Sequence, residues 1–181
     1  MVIINTERFQ LKSLTTKDVT EKYLSWFNQS KEIEKYISFS QKCEGIDSLM
    51  QYVKDKKDRE DVLFLGIFCS LGQHIGNIKY EPIDLKNKTA TMGILIGDKE
   101  WRGKGVASEV IKISGKYLKN NYGIKYIDLG VDKSNARAIS AYEKINFKII
   151  EENNTGFKMQ LDLKWVLHLE QFNLEWIMAL P

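Results

Sequence analysis

The sequence predicts an α+β domain in which a meander of antiparallel strands precedes a half where strands and helices alternate. Three apolar or alternating segments, 62–69, 74–81 and 89–96, follow one another through short turns, as the strands of a meander do. From Val106 onward the apolar residues recur at helical spacing. A strand–helix–strand crossover over 89–131 should make its two strands parallel neighbours or near-neighbours in one sheet.

The other elements follow from the same two periodicities. Before the meander we expect a single first strand that contains Ile3, Ile4, Phe9 and Leu11, and then helices over 18–27, 31–37 and 46–56. Asp18 and Glu21 form a candidate capping pair at the start of the first of these helices. After the long helix we expect a strand over 126–131, a helix over 135–144, and strands over 147–150 and 157–163.

The composition is that of an ordinary globular domain that needs no disulfide and no metal. The chain has 181 residues, of which 43% are hydrophobic and 28% are charged. A chain of this size buries about 70% of its unfolded surface. Cys43 and Cys69 have no CxxC spacing, and His74 and His168 lie too far apart for a local metal motif. We therefore expect no metal.

Sequence features also limit the location and the partners of the protein. No run of about 18 apolar residues predicts a transmembrane helix, so we expect no membrane partner. Glu7 and Arg8 stand where a secretion signal would be apolar, which favours a cytoplasmic protein. The net charge of +3 is mild and the lysines are scattered along the chain, so a nucleic-acid partner is disfavoured.

A glycine-rich loop joins the third meander strand to the long helix. It contains Arg102, Gly103, Lys104 and Gly105, and the helix begins at Val106. Backbone N–H groups at a helix N-terminus are unpaired, and the helix dipole attracts an anion there. The two glycines permit positive φ, which lets successive N–H groups converge on a phosphate. We expect a phosphate-binding loop, with a plain strand-to-helix turn as the alternative.

Two familiar phosphate loops do not fit this segment. A Walker A loop requires Ser or Thr after its lysine, whereas Gly105 follows Lys104. A Rossmann fingerprint requires a third glycine where this chain has Ser108, and it should follow the first strand of its unit. Both loops are therefore weak alternatives.

Two segments instead resemble motifs of the GNAT superfamily of acyl-CoA-dependent N-acetyltransferases. Residues 102–107, RGKGVA, are similar to its Q/R-x-x-G-x-G/A loop, and residues 135–147, NARAISAYEKINF, are similar to its N-x-x-A-x-x-x-Y-x-K-x-G-F segment. Asn146 stands where glycine is usual, and asparagine tolerates the left-handed conformation at a helix end. The order of elements over 7–163 also resembles this superfamily, most closely its ribosomal-protein (Rim-type) branch.

The resemblance implies a mixed, mostly antiparallel central sheet flanked by helices, and an enzyme that moves acetyl from acetyl-CoA to a primary amine. The acceptor would be a small molecule or a peptide, and a non-catalytic acyl-CoA-binding regulatory module is the alternative. Main-chain groups of the loop and of the strand before it would hold acetyl-CoA, while Asn135 would contact it or simply cap its helix. The implied cofactor-binding residues are Ile94, Leu95, Ile96, Arg102, Gly103, Lys104, Gly105, Val106, Ala107 and Asn135.

Candidate catalytic residues follow from the chemistry that acetyl transfer requires. Tyr142 is the preferred general acid, because a phenol can donate a proton to the departing thiolate, and a core aromatic is the alternative. A carboxylate or a water chain would take the amine proton. Glu81, at the end of a strand that should border the site, is the preferred carboxylate and Asp128 is the second choice, with an ordinary surface carboxylate as the alternative for each. The helices between 18 and 39 should form the acceptor pocket, although their aromatic residues could equally be core. The pocket candidates are Trp26, Phe27 and Tyr36.

Residues 164–181 lie beyond the acetyltransferase pattern, which ends near Leu163. Trp165, Leu169, Phe172 and Trp176 fall on one helical stripe of this tail. An exposed stripe of this kind would promote aggregation. We therefore expect a helix that packs on a second subunit, in a homodimer, or on its own domain.

Overall fold

One eight-stranded mixed sheet organises the part of the chain that the computed structural model describes, residues 1–28 and 45–164. Its strands are β1 (Ile3–Asn5), β2 (Phe9–Ser13), β3 (Leu63–Cys69), β4 (His74–Asp84), β5 (Thr89–Ile96), β6 (Tyr126–Asp132), β7 (Lys148–Glu152) and β8 (Gly156–Asp162). Their order is β1-β2-β3-β4-β5-β6-β8-β7, and every neighbouring pair is antiparallel except β5 and β6. The predicted crossover and the mixed, mostly antiparallel sheet are both confirmed. The expected single first strand is instead the antiparallel pair β1 and β2, because the chain turns between them, where the N–H of Thr6 donates to the carbonyl oxygen of Phe9 at 2.8 Å.

Four α-helices accompany the sheet within the described residues. They are α1 (Glu21–Asn28), α2 (Ile46–Lys56), α3 (Val106–Tyr122) and α4 (Ala136–Glu143). None of these described helices is both long and apolar enough to cross a membrane. The predicted helix over 31–37 and the tail from Trp165 onward lie outside the described residues.

The start of α1 differs from the prediction because Asp18 has another partner. Its carboxylate accepts hydrogen bonds from the backbone N–H of Thr15 at 2.9 Å and from the Thr15 hydroxyl at 2.8 Å. These bonds close a short 3-10 turn, Thr16–Asp18, and α1 begins only at Glu21. Asp18 therefore caps the turn rather than α1, and the expected pairing with Glu21 is wrong.

The parallel strands β5 and β6 separate soon after they meet. Their pairing ends at Thr91 and Asp128, after three residue pairs. Beyond that point β5 stays paired with β4, and β6 stays paired with β8. The facing edges of residues 92–96 and 129–132 are therefore not joined to each other, and a gap opens within the sheet.

Two hydrophobic clusters lie on opposite faces of this sheet. The first joins the sheet to α3, in which Val110, Ile111 and Leu118 are fully buried. The second joins α1 to α2. The adjacent β5 residues Ile94 and Leu95 pack against different clusters, and successive side chains of a strand point to opposite faces. The gap between β5 and β6 is therefore open to the α3 face and to the α1–α2 face.

Trp26 and His74 fill the centre of the second face. Trp26 is 1% exposed, and its ring lies 4.9 Å from the imidazole of His74, which also stacks on Phe68 at 4.8 Å. Nε2 of His74 lies 2.8 Å from Oδ1 of Asn77, whereas its Nδ1 has no partner in the described residues. Burial lowers the pKa of His74, and the hydrogen bond with Asn77 offsets this only in part.

Gly97, directly after β5, packs against the indole of Trp26. A Cβ at Gly97 would lie 1.9 Å from Cδ2 of Trp26. We expect Gly97→Ala to lower the free energy of unfolding by about 1–3 kcal/mol, because overpacking a filled site forces side chains or backbone to move. Urea denaturation measures the change. Gly93→Ala is the matched control, since a Cβ there meets nothing within 4 Å, and equal stability of the two variants would contradict the packing argument.

The buried His74 predicts a loss of stability in mild acid. Because its pKa is lowered in the folded chain, the fold favours neutral imidazole. Its contribution is complete above about pH 6.5, the pKa in the unfolded chain, and is lost as the pH falls toward the folded pKa. We expect the melting temperature to fall more between pH 7.5 and pH 5.5 in the wild type than in His74→Phe. The same pH dependence in both proteins would show that His74 does not titrate on unfolding.

Candidate active site

A cavity of about 770 Å³ occupies the gap between β5 and β6. This volume lies within the range of ordinary ligand pockets. Aromatic side chains from the α1–α2 face form one end, and the glycine loop and α4 form the other. On the two strands its lining residues are Met92, Gly93, Ile94, Leu95, Ile96, Leu129, Gly130, Val131 and Asp132.

The glycine loop presents a run of unpaired backbone N–H groups. Gly103 and Gly105 have φ of 77° and 76°, which places both in the left-handed region. Among the described residues, none accepts a hydrogen bond from the backbone N–H groups of 103–108. The dipole of α3, which begins directly after Gly105, adds positive potential at the same place. This geometry is that of an anion-binding loop.

Side chains on both sides of the loop hold it in place. The guanidinium of Arg102 donates to the carbonyl oxygens of Ile96 and Gly97, each at 2.9 Å, and so ties the loop to the end of β5. Arg8 donates through a terminal nitrogen to the carbonyl oxygen of Lys104 at 3.0 Å, and its Nε pairs with Glu109 at 2.7 Å. The side chain of Arg102 therefore anchors the loop, and Arg8 is a site residue that sequence analysis missed.

Arg137 brings a further positive charge to the loop. A Cβ at Gly103 would lie 3.3 Å from a terminal nitrogen of Arg137, and both residues line the cavity. Arg137 stands in the first turn of α4, where the helix dipole disfavours a cation. An arginine at that position was the sequence signal that could have identified it as an anion ligand.

Tyr142 reaches the same cavity from α4. No hydrogen bond within the described residues engages its hydroxyl, and burial raises the pKa of Tyr142.

Asn135 also lines the cavity, and its Oδ1 caps α4 by accepting from the N–H of Ala138 at 3.1 Å. Asn146 has φ of 71°, so the expected left-handed conformation in place of glycine is confirmed. The left-handed turn at Asn146 follows α4, and Tyr142 on that helix lies beside the gap.

The structure does not bring Glu81 into the cavity. Its carboxylate is bridged by Lys56 at 2.7 Å and by Arg59 and Lys79 at 2.8 Å each. Burial opposes the charge on Glu81, but hydrogen bonds from Lys56 and Lys79 outweigh it and lower the pKa. A base that works near neutral pH needs the opposite shift. Glu81 is therefore held in an ion-pair group outside the described cavity lining, which disfavours the expected role as the base.

The second carboxylate candidate is also engaged elsewhere. Asp128 accepts a hydrogen bond from Gln160 at 2.8 Å, pairs with Lys158 at 3.2 Å, and does not line the cavity. In the described ranges, no three His, Cys, Asp or Glu side chains form a group that could hold a metal ion.

The end of the cavity on the α1–α2 face, where we expected the acceptor to bind, only partly matches the predicted residues. Phe27 lines it, whereas Trp26 belongs to the core behind it, because Gly97 and His74 enclose its ring. Tyr36 lies outside the described residues. Lining residues that sequence analysis missed at this end are Tyr23, Tyr52, Phe64, Asn77 and Lys79.

Several solved acetyltransferases share this fold. The spermidine N-acetyltransferase from Vibrio cholerae, in complex with CoA and spermine, has a TM-score of 0.76 at 20% identity, covering 88% of this chain and 98% of that chain. RimL, a ribosomal L7/L12 alpha-N-protein acetyltransferase in complex with coenzyme A, has a TM-score of 0.78 at 15% identity, covering 90% and 98%. The microcin C7 self immunity acetyltransferase MccE, in complex with acetyl-CoA and AMP, has a TM-score of 0.75 at 18% identity, covering 86% and 93%. At these identities the likeness establishes the fold alone.

Two curated relatives match over shorter stretches. An N-alpha-acetyltransferase from Saccharolobus solfataricus is 40% identical over 75 residues, which are 41% of this chain and 44% of the relative. The uncharacterized N-acetyltransferase YobR from Bacillus subtilis is 41% identical over 59 residues, which are 33% of this chain and 24% of the relative. The matched part spans less than half the length of either relative.

A family model described as the acetyltransferase (GNAT) domain matches residues 8–148. The match covers well over half of the chain and contains the glycine loop, the separated strands and the helix that carries Tyr142. This match and the shared fold agree with the resemblance of the two sequence motifs, and the chain belongs to the GNAT acetyltransferase family.

Proposed function

We propose that the protein transfers the acetyl group of acetyl-CoA to a primary amine by direct attack of the amine on the thioester. The observation that carries this proposal is that unpaired N–H groups, an unpaired strand edge and the Tyr142 hydroxyl meet in one cavity. The spermidine acetyltransferase, RimL and MccE, which share the fold, were all solved with CoA or acetyl-CoA.

The residues present fit acetyl-CoA as the cosubstrate. The N–H groups of 103–108 and the guanidinium of Arg137 would hold its pyrophosphate, since both favour an anion. The unjoined edge of residues 92–96 would pair with the pantetheine arm as an additional strand does. Ile94, Leu95 and Ile96 would thus bind through their backbone, and Asn135 would contact the cosubstrate while capping α4.

Proton transfer in this reaction falls to Tyr142 and to water. The amine nitrogen forms a bond to the thioester carbonyl carbon, and the carbon–sulfur bond then breaks. Tyr142 donates its proton to the leaving thiolate, and the proton that the amine releases restores the Tyr142 phenol through water. Asp132 is the one carboxylate among the described lining residues, and it accepts hydrogen bonds from Ser134. Glu81 does not line the cavity. We therefore assign removal of the amine proton to water rather than to Glu81.

A non-catalytic acyl-CoA-binding module is the second candidate. It would use the same loop and strand edge but would release no thiol. Mixing the protein with acetyl-CoA and a panel of primary amines, while following free thiol, separates the two functions. Thiol release with at least one amine supports the enzyme, and binding without release on any amine supports the module.

The partners we infer are a small-molecule or peptide amine and a second copy of the chain. The apolar stripe in residues 164–181 supports a homodimer through that segment. A cytoplasmic location fits the two cysteines of the chain, of which Cys69 is a buried free thiol.

Gly105→Glu is expected to abolish acetyl-CoA binding. It places a carboxylate among N–H groups that would hold a phosphate, and we expect the affinity measured by calorimetry to fall by about 100-fold or more. Gly123→Glu is the matched control, because Gly123 ends the same helix with φ of 65° and carries a similar backbone strain. Normal affinity in Gly105→Glu would remove this loop from the site.

Tyr142→Phe is expected to lower kcat on the order of 100-fold while leaving the affinity for acetyl-CoA nearly unchanged. The Tyr142 hydroxyl is protonated at neutral pH, because a phenol titrates well above that pH and burial raises the pKa of Tyr142 further. Steady-state kinetics and calorimetry measure the two effects. Tyr122→Phe is the control, because Tyr122 lies on α3 and does not line the cavity. An unchanged kcat in Tyr142→Phe would exclude Tyr142 as the acid.

A further inference from the structure

A cation lies at the acceptor end of the cavity. Lys79 on β4 lines the cavity, and its side chain is 25% exposed. Its Nζ donates to the hydroxyl of Tyr52 at 2.7 Å and to Oε2 of Glu81 at 2.8 Å. Burial opposes the charge on Lys79, but these two hydrogen bonds outweigh it and raise the pKa. Lys79 is therefore an ammonium group at neutral pH.

One N–H group of the Lys79 ammonium has no acceptor among the described residues. The ammonium carries three N–H groups, and the described part of the chain accepts hydrogen bonds from two of them. Because Lys79 lines the cavity and its side chain is 25% exposed, the third N–H group can donate to a ligand bound there.

Asn77 adds a second donor on the same wall. It lies two residues before Lys79 on β4, and side chains two apart share one face of a strand. Its Oδ1 lies 2.8 Å from Nε2 of His74, so His74 carries its proton on Nε2 and the Nδ2 group of Asn77 remains available to the cavity. The acceptor end thus presents two neighbouring donors, of which one is charged.

The side chains that form ion pairs around Lys79 do not cancel its positive charge. Lys79 belongs to an ion-pair group with Lys56, Arg59, Asp61 and Glu81, which holds one more positive than negative charge. None of the described lining residues contributed by α1, α2, β3 and β4 is a carboxylate. A polycation that approaches Lys79 would therefore meet like charge, whereas an anion would meet opposite charge.

We propose that the acceptor amine carries an acidic group, a carboxylate or a phosphate, that binds Lys79. This inference rests on the proposed acetyl transfer and names its substrate class. Lys79 stands opposite Gly93 of β5, two residues beyond the last pair with β6. An acid bound there lies beside the strand edge that would receive pantetheine, so the attached amine stays near the thioester. Asn77 donates a second hydrogen bond to the same acid.

Matched acceptors test this substrate class. The amidated dipeptides Ala-Glu and Ala-Gln have the same amine and differ in one acidic group. O-phosphoethanolamine and ethanolamine form the phosphate pair, and spermidine represents a polycation. We expect kcat/KM, measured by thiol release, to be about tenfold or more higher for the acidic member of at least one pair. The pair with the larger ratio identifies the acid as carboxylate or phosphate.

Two lysine variants test whether the preference for an acidic acceptor depends on Lys79. Lys79→Met should bring the ratio within each pair close to one, and Glu81 keeps Lys56 and Arg59 as partners in this variant. Lys56→Met is the matched control, because Lys56 also bridges Glu81 and lies 5.3 Å from the Tyr52 ring centroid, but does not line the cavity. We expect Lys56→Met to keep the wild-type ratio. Loss of the ratio in Lys56→Met, or its survival in Lys79→Met, would overturn the assignment to Lys79.

Calorimetry on the protein saturated with CoA separates this inference from the proposed function. Tighter binding of Ala-Glu than of Ala-Gln without thiol release would support the acid site and overturn acetyl transfer. Thiol release that is equal within both pairs, or highest with spermidine, would support acetyl transfer and overturn the acid site. Equal binding within both pairs without thiol release would overturn both.

Discussion

The separation of β5 from β6 after three residue pairs is the constraint on which the rest of the site depends. Backbone N–H and C=O groups beyond that point still need partners, and the neighbouring strand does not provide them. The connection between the two strands contains the glycine loop and α3, and β6 leads directly into α4. The same crossover that makes the strands parallel therefore places the loop, the open edge and Tyr142 at one end of the sheet.

Local sequence patterns were sufficient to predict those elements whose structure depends on residues close together in the chain. The strands β3 to β6, β8 and the long helix follow the predicted periods within a few residues, because they bury apolar side chains against the sheet, whereas the predicted strand β7 is exposed along its whole length. The turn at Asn146 was predictable because positive φ is a property of one residue. The start of α1 was not predictable in this way. The Asp18 carboxylate accepts hydrogen bonds from Thr15 and closes a 3-10 turn, so that α1 begins only after this turn.

The site residues that the sequence did not reveal depend on contacts between distant segments. Arg8 supports the glycine loop from nearly a hundred residues away. Glu81 stands at a strand end near the site, but its three cationic partners come from α2, from the turn after it and from β4. An aromatic pattern on α1 cannot separate core from pocket, whereas the approach of Gly97 assigns Trp26 to the core. In each case the spatial neighbours, which local spacing does not specify, determine the role.

The charges that line the cavity bear on how an amine can react there without a carboxylate base. The described lining residues with formal charge are Lys79, Arg102, Arg137 and Asp132, so cations outnumber anions at both ends of the cavity. Such a field suits a cosubstrate with phosphates and an acceptor with an acidic group. It also disfavours an ammonium relative to a neutral amine, since like charges lower the pKa of an amino group. The charges of the described lining residues therefore favour the neutral, nucleophilic form of an amine, which is consistent with the proposed transfer of the amine proton to water.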